Sequence, residues 1–84
     1  MLYLITQTHA AEACPVDAGG KEILYEDPDQ VEGLKVVAAY GAFPEHTLYF
    51  VVEADDYSAI DRFLRPGLNR CTCTITPVSQ FLGE

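Results

Sequence analysis

Alternation of apolar and polar residues is the main structural signal in this chain. The opening segment MLYLITQTH is rich in Leu, Ile, Tyr and Thr without helical spacing, which predicts a first strand from about Leu2 to Thr8. The segment LKVVAAY predicts a second strand. TLYFVVEA is β-branched and aromatic throughout and predicts a third, after a hairpin connection from Tyr40 to Thr47. The final segment CTCTITPV alternates Cys and Ile with Thr, which predicts a fourth strand with two different faces.

Helical signals follow the first and third strands. In DDYSAIDRFLRPG, Asp55 or Asp56 can cap a helix that Pro66 and Gly67 end, and its apolar positions share one face: Ala59, Ile60, Phe63 and Leu64. After the first strand, a loop and the segment KEILYEDPDQVEG predict only a short or broken helix ending at Gly33. The reason is Pro28, which removes one hydrogen bond from the interior of any helix there.

The resulting order is strand, weak helix, strand, strand, helix, strand. This order predicts one α+β domain over residues 1–84 with a ferredoxin-like βαββαβ fold, a four-stranded antiparallel sheet and both helices on one face. In the third strand Leu48, Phe50 and Val52 point one way, whereas Tyr49 and Val51 point the other. Because both faces of that strand are apolar, we expect the open face to pack against a second copy in a homodimer.

Charge and cysteine usage narrow the possible partners. Five Lys and Arg against 13 Asp and Glu give a net charge of -8, with no basic cluster, so nucleic acid is not an expected partner. No apolar run is long enough to span a membrane, and the first residues lack the basic start of a signal peptide. We therefore expect a soluble cytoplasmic protein. Three cysteines without paired spacing predict free thiols in a reducing compartment.

One long stretch adds a family resemblance. PEHTLYFVVEADDYSAIDRFLRPGL, followed later by ITPV and preceded by an opening strand that ends in His before a Cys-Pro pair, resembles small proteins of the ferredoxin-like dimeric α/β-barrel superfamily. The resemblance covers most of the chain except residues 16–33. It implies the fold and the dimer. The superfamily also includes monooxygenases and isomerases, but no motif of an assigned enzyme is matched.

The predicted strand order brings scattered reactive residues to one end of the sheet. His9 ends the first strand, His46 precedes the third, and Cys71 opens the fourth. Imidazole and thiolate are the ligands that Zn²⁺ and Cu⁺ prefer. We therefore predict a soft-metal site at His9, Cys14 and His46, completed by a cysteine of the fourth strand or by water.

Two other interpretations stay open at this stage. In an enzyme, His9 or His46 would act as general acid or base beside a Cys14 nucleophile. A barrel interior would then bind a small apolar or aromatic molecule through Tyr3, Tyr40, Tyr49 and Phe50. Candidate ligand-binding residues are Tyr40, Tyr49, Cys71 and Cys73. In a structural or interaction module, the histidines would only hydrogen-bond loop carbonyls and the cysteines would be ordinary inward strand residues.

Overall fold

The predicted α+β architecture is confirmed in a computed structural model, which describes residues 1–10 and 24–83. Its main elements are β1 (Leu2–His9), β2 (Leu34–Ala42), β3 (Thr47–Ala54), α1 (Tyr57–Leu64) and β4 (Cys71–Val78). The four strands form one antiparallel sheet in the order β2-β3-β1-β4. This spatial order and the one helix after β3 are compatible with a ferredoxin-like fold.

Strand register assigns every strand residue to one of two faces. Ile5 of β1 lies opposite Phe50 of β3 and Ile75 of β4, so these three side chains share the face that α1 covers. The next residue of β1, Thr6, lies opposite Tyr49 and Thr74 on the other, open face. The expectation that alternate residues of β3 point to opposite faces, with Phe50 on one and Tyr49 on the other, is therefore confirmed.

The core lies between the sheet and α1. Asp56 caps α1 by accepting a hydrogen bond from the Ala59 amide at 3.1 Å, and the helix buries the four apolar residues expected from its sequence, Ala59, Ile60, Phe63 and Leu64. Phe63 meets Phe50 edge to face with ring centroids 5.1 Å apart. The covered face of the sheet is thus closed by aromatic packing at its centre.

The connection from β1 to β2 differs from expectation. In the described part of this connection, residues 24–33, the only helical element is a 3₁₀ turn, Pro28–Gln30, where the sequence predicts a short or broken α-helix. Pro28 starts this turn and Asp27 caps it through the Asp29 amide at 3.0 Å. Gly33 then takes a positive φ of 83° at the entry to β2. A proline at the start and a left-handed glycine at the end leave no room for a continuous α-helix.

The hairpin between β2 and β3 is shorter than its predicted span. β2 continues to Ala42, and a 3₁₀ turn over Phe43–Glu45 and one left-handed residue, His46, lead directly into β3. Cross-strand hydrogen bonding therefore extends further towards this end than the turn residues suggested. Of the described helices, none has the length and apolar content needed to cross a membrane.

Candidate functional site

Two buried polar residues mark the end of the central strand. Gln7 and His9 follow Ile5 on the covered face of β1, and their exposed fractions are 0% and 5%, as low as those of the apolar core. Gln7 donates from Nε2 to the carbonyl of Leu24 at 2.8 Å, while its Oε1 is buried without a partner. The chain therefore leaves the sheet after His9 and is fixed beside it again at Leu24.

His46 reaches His9 from the turn before β3. Its φ of 53° makes it the one described non-glycine residue in the left-handed region, a conformation that costs of order 1 kcal/mol. Its carbonyl accepts a hydrogen bond from the His9 amide at 3.0 Å. The two imidazoles meet edge to face, with ring centroids 5.4 Å apart. The only two histidines of the chain are therefore in contact, as the predicted strand order requires.

The ring nitrogens of this histidine pair are short of partners. His9 Nδ1, His9 Nε2 and His46 Nδ1 are all buried and make no hydrogen bond in the described structure. Burial lowers the pKa of His9 below its ordinary value of 6.5, and the neighbouring His46 lowers it further. His9 is thus a neutral imidazole at neutral pH, with a lone pair that no described group uses.

The ring separation of the pair is compatible with a shared metal ion and is also that of an ordinary edge-to-face contact. Two imidazoles on one tetrahedral ion have ring centroids about 5 Å apart, because each metal–nitrogen bond is about 2.0–2.1 Å. The observed separation is 5.4 Å. Within residues 1–10 and 24–83, however, no three His, Cys, Asp or Glu side chains are gathered closely enough to hold an ion. The described residues thus provide two candidate ligands, and the predicted ligand Cys14 lies outside them.

The two cysteines of β4 flank this site. Cys71 lies opposite His9 and Cys73 opposite Gln7, so both thiols are on the covered face. Both are free and partly exposed. Burial raises the pKa of each thiol; Cys73 raises that of Cys71 further, while Arg70 opposes the shift. Both cysteines line an open cleft of about 210 Å³ between β4 and α1.

The predicted aromatic ligand site is divided between two faces. Tyr40 and Tyr49 form a cross-strand pair on the open face. Phe50 is only 4% exposed beneath α1, and Tyr3 lies on the same covered face, opposite Val52. The expectation that all four line one interior is wrong, because Phe50 follows Tyr49 directly and neighbouring strand residues point to opposite faces. Cys71 and Cys73 are likewise on the opposite face from the two tyrosines.

Sequence reasoning missed Gln7. Its signal is nevertheless present, because Gln7 shares the parity of Tyr3, Ile5 and His9 along β1. A polar residue at an inward position of a central strand indicates either a partner or a site. Here Gln7 has one of each: a bond to Leu24 and an unpaired oxygen beside the histidine pair.

The open face of the sheet is almost uncharged. Its strand residues include only two charged side chains, Lys35 and Glu53, which lie opposite each other at one corner. The other residues there are aliphatic, tyrosine and threonine, among them Leu4 and Tyr40 at 38% and 66% exposure. In a chain with 13 acidic residues, this neutrality sets the open face apart from the rest of the surface.

Comparison with known proteins assigns the chain to a family. Residues 1–81 match a family described as a domain of unknown function (DUF3303). No curated protein and no solved structure matches the chain. Because the match covers nearly the whole sequence, the protein belongs to this family.

Proposed function

We propose that this member of the DUF3303 family binds a borderline or soft metal ion, Zn²⁺ or Cu⁺, through His9 and His46, with Cys14 as a third ligand. The observation that supports the proposal is the histidine pair, whose ring centroids lie 5.4 Å apart and whose buried nitrogens have no described partner. Imidazole is a favoured ligand of both ions, and thiolate completes a soft donor set.

A purely structural role explains the histidine pair poorly. A buried polar atom without a hydrogen bond costs about 1–3 kcal/mol, and three nitrogens of the pair have no partner among the described residues. Apolar residues at these positions would avoid that cost. Metal coordination uses one lone pair on each ring and offsets part of it, and the lowered pKa of His9 keeps the ring in the neutral form that binds metal.

Cys14 is compatible with this site by chain length. It follows His9 by five residues, and five residues of extended chain span at most about 18 Å. Both ends of the intervening segment lie beside the site, since Gln7 holds the Leu24 carbonyl. Chain length alone therefore allows Cys14 to reach the histidine pair.

Metal analysis of the purified protein tests the proposal. Protein prepared without chelator is expected to carry close to one equivalent of Zn or Cu, and His9→Asn or His46→Asn is expected to lose it. Asn suits both positions, because it is a poorer ligand and tolerates the left-handed backbone of His46. Thr8→Ala, on the open face beside His9, is the control and should retain the metal. Less than roughly a tenth of an equivalent in wild-type protein, also after incubation with Zn²⁺, would refute the proposal.

We further propose that the chain forms a homodimer through its open sheet face, as in the dimeric α/β-barrel superfamily it resembles. A second copy suits this face, because two molecules of net charge -8 meet there with few like charges in direct contact. Val51 lies opposite Leu4 at the centre of this face and is partly exposed. The free thiols of β4 are consistent with a reducing, cytoplasmic location.

Light scattering tests the dimer. Wild-type protein at micromolar concentration is expected to show twice the mass of the chain, and Val51→Lys is expected to show one chain mass, because it buries a charge at the centre of the interface. Thr72→Lys, at the periphery of the same face, is the matched control and should remain dimeric. A monomeric wild-type protein would contradict this part of the proposal.

A further inference from the structure

Three residues form one row at one end of the sheet, running from the turn before β3 across β1 to the edge strand β4. His46 immediately precedes β3, and its carbonyl accepts a hydrogen bond from the amide of His9 on β1. On the other side of His9, the β1–β4 register places Cys71 directly opposite. His9 is therefore flanked by an imidazole on one neighbouring strand and by a thiol on the other.

Cys73 occupies a different row. It lies opposite Gln7, two residues further into the sheet, and packs against the hydrophobic core. Cys71 and Cys73 are otherwise closely matched: both are free, partly exposed thiols on the covered face of the same strand. Register is what distinguishes them, since only Cys71 lies beside the histidine pair.

We infer that Cys71, and not Cys73, supplies a thiolate ligand to the ion held by His9 and His46. This inference rests on the proposed metal-binding function and specifies its donor set as one that mixes nitrogen and sulfur. The site gains a ligand from β4, so that β3, β1 and β4 all contribute to it. Such a site favours Zn²⁺ and Cu⁺ over Mg²⁺ and Ca²⁺, which take oxygen ligands.

The geometry of antiparallel pairs supports this assignment. Side chains directly opposite each other have Cβ atoms about 4.5–5.5 Å apart. One ion can bridge that gap, because zinc–sulfur and zinc–nitrogen bonds are about 2.3 Å and 2.0–2.1 Å long. No three His, Cys, Asp or Glu side chains of the described residues are close enough to hold an ion, so the inference requires the Cys71 side chain to rotate towards His9.

Coordination also has a defined proton balance and route of entry. The Cys71 thiol releases its proton to solvent and binds the ion as thiolate, whereas His9 and His46 bind as neutral imidazoles. Cys71 lines the open cleft of about 210 Å³ beside α1, which connects its sulfur to solvent. The cleft therefore reaches Cys71 from solvent, whereas His9 and His46 are not among its lining residues.

Cobalt binding is the test, with Co²⁺ as a spectroscopic replacement for Zn²⁺. Wild-type protein titrated with Co²⁺ under reducing conditions is expected to show a near-ultraviolet sulfur-to-cobalt charge-transfer band. Cys71→Ser should lose intensity in this band per bound ion, and its Zn²⁺ affinity should fall by about 100-fold or more, beyond the 10- to 100-fold cost of losing an outer-shell partner. Cys73→Ser, the matched control, should keep both the band and the affinity.

The outcomes separate the inference from the proposed function. If Cys71→Ser binds Co²⁺ and Zn²⁺ as Cys73→Ser does, the inference is overturned, while loss of binding in His9→Asn would still support the proposed function. If wild-type protein binds neither ion, both fail. Circular dichroism of Cys71→Ser checks that its fold is intact, and Cys71→Ala serves as a second variant if it is not.

Discussion

The covered face of the sheet has an apolar half and a polar half, and both are buried. Ile5 and Phe63 in the apolar half and Gln7 in the polar half have the same exposed fraction, 0%. The apolar half is filled by the aromatic and aliphatic side chains of β3 and α1. The polar half contains four buried polar atoms, on Gln7, His9 and His46, that have no hydrogen-bond partner among residues 1–10 and 24–83. On β1, the apolar Ile5 and the polar Gln7 are therefore buried to the same extent.

This difference separates residues that stabilise the fold from residues that the fold only tolerates. Apolar burial contributes about 25 cal/mol per Å², whereas buried polar atoms without partners oppose folding. A chain of 84 residues has a total stability of only about 5–15 kcal/mol. Within the described residues, the polar half is therefore expected to contribute less to the stability of this small domain than the apolar half does.

The largest expected effect lies in the apolar half. Phe63→Ala removes a fully buried ring that contacts Phe50, and we expect it to lower the free energy of unfolding by about 3–5 kcal/mol. Urea titration followed by circular dichroism measures the change. Phe81→Ala is the control, because Phe81 is 89% exposed and its loss should cost less than about 0.5 kcal/mol. Equal effects of the two variants would contradict the assignment of the core.

The second effect tests whether the polar half becomes stabilising when its ligand is bound. Zn²⁺ at 100 times its dissociation constant should add about 2.7 kcal/mol to the stability of the wild type and raise its melting temperature by roughly 10 °C or more. Thermal scans with and without chelator measure the shift. His46→Asn should show no shift, whereas Thr8→Ala should respond as the wild type does. A shift of equal size in all three proteins would indicate binding elsewhere.

The third prediction compares two substitutions on β1, one that makes a buried polar position apolar and one that makes a buried apolar position polar. Gln7→Met removes an unpaired oxygen but leaves the Leu24 carbonyl without its donor, so the change in unfolding free energy should stay within about 1.5 kcal/mol. Ile5→Gln places the same polar group in the apolar half and should cost at least about 2 kcal/mol. Chemical denaturation of the two variants measures both changes in the free energy of unfolding. The contrast between halves fails if Gln7→Met is the more damaging of the two.

The smallest effect is a pH dependence of the metal-free protein. His9 has a lower pKa in the folded chain than its ordinary value of 6.5, so the unfolded chain takes up this proton first as the pH falls. The His9 contribution is therefore constant above about pH 6.5, and stability declines as the pH drops below that value towards the lower folded pKa. Melting temperatures from pH 8 to pH 5 in chelator measure the decline. His9→Asn should show a shallower decline, and identical profiles would contradict the assignment.

Local patterns were sufficient to predict the strands, their order and α1. The alternation in β4 and the apolar face of α1 are signals that neighbouring residues carry themselves. The contact between His9 and His46 followed from strand order alone, because one residue ends β1 and the other precedes β3. The proximity of the two histidines at one end of the sheet was therefore predictable without any local motif.

Other features required three-dimensional information. The position of the segment before the 3₁₀ turn is one of them, because the amide of Glu26 donates to the carbonyl of Phe63, 37 residues away in the sequence, at 2.8 Å. The left-handed backbone of His46 has no sequence signature, since histidine adopts it only when the surrounding turn requires it. The bond from Gln7 to Leu24 joins residues 17 positions apart, which no local pattern indicates.

The bond from Gln7 to Leu24 has a consequence for how chain length can vary. It joins two positions that are 17 residues apart in the sequence, so the chain between them is closed into a loop. Doubling the length of such a loop adds only about 0.6 kcal/mol of closure entropy. Insertions between these two positions are therefore inexpensive, whereas a substitution of Gln7 would remove the contact that closes the loop.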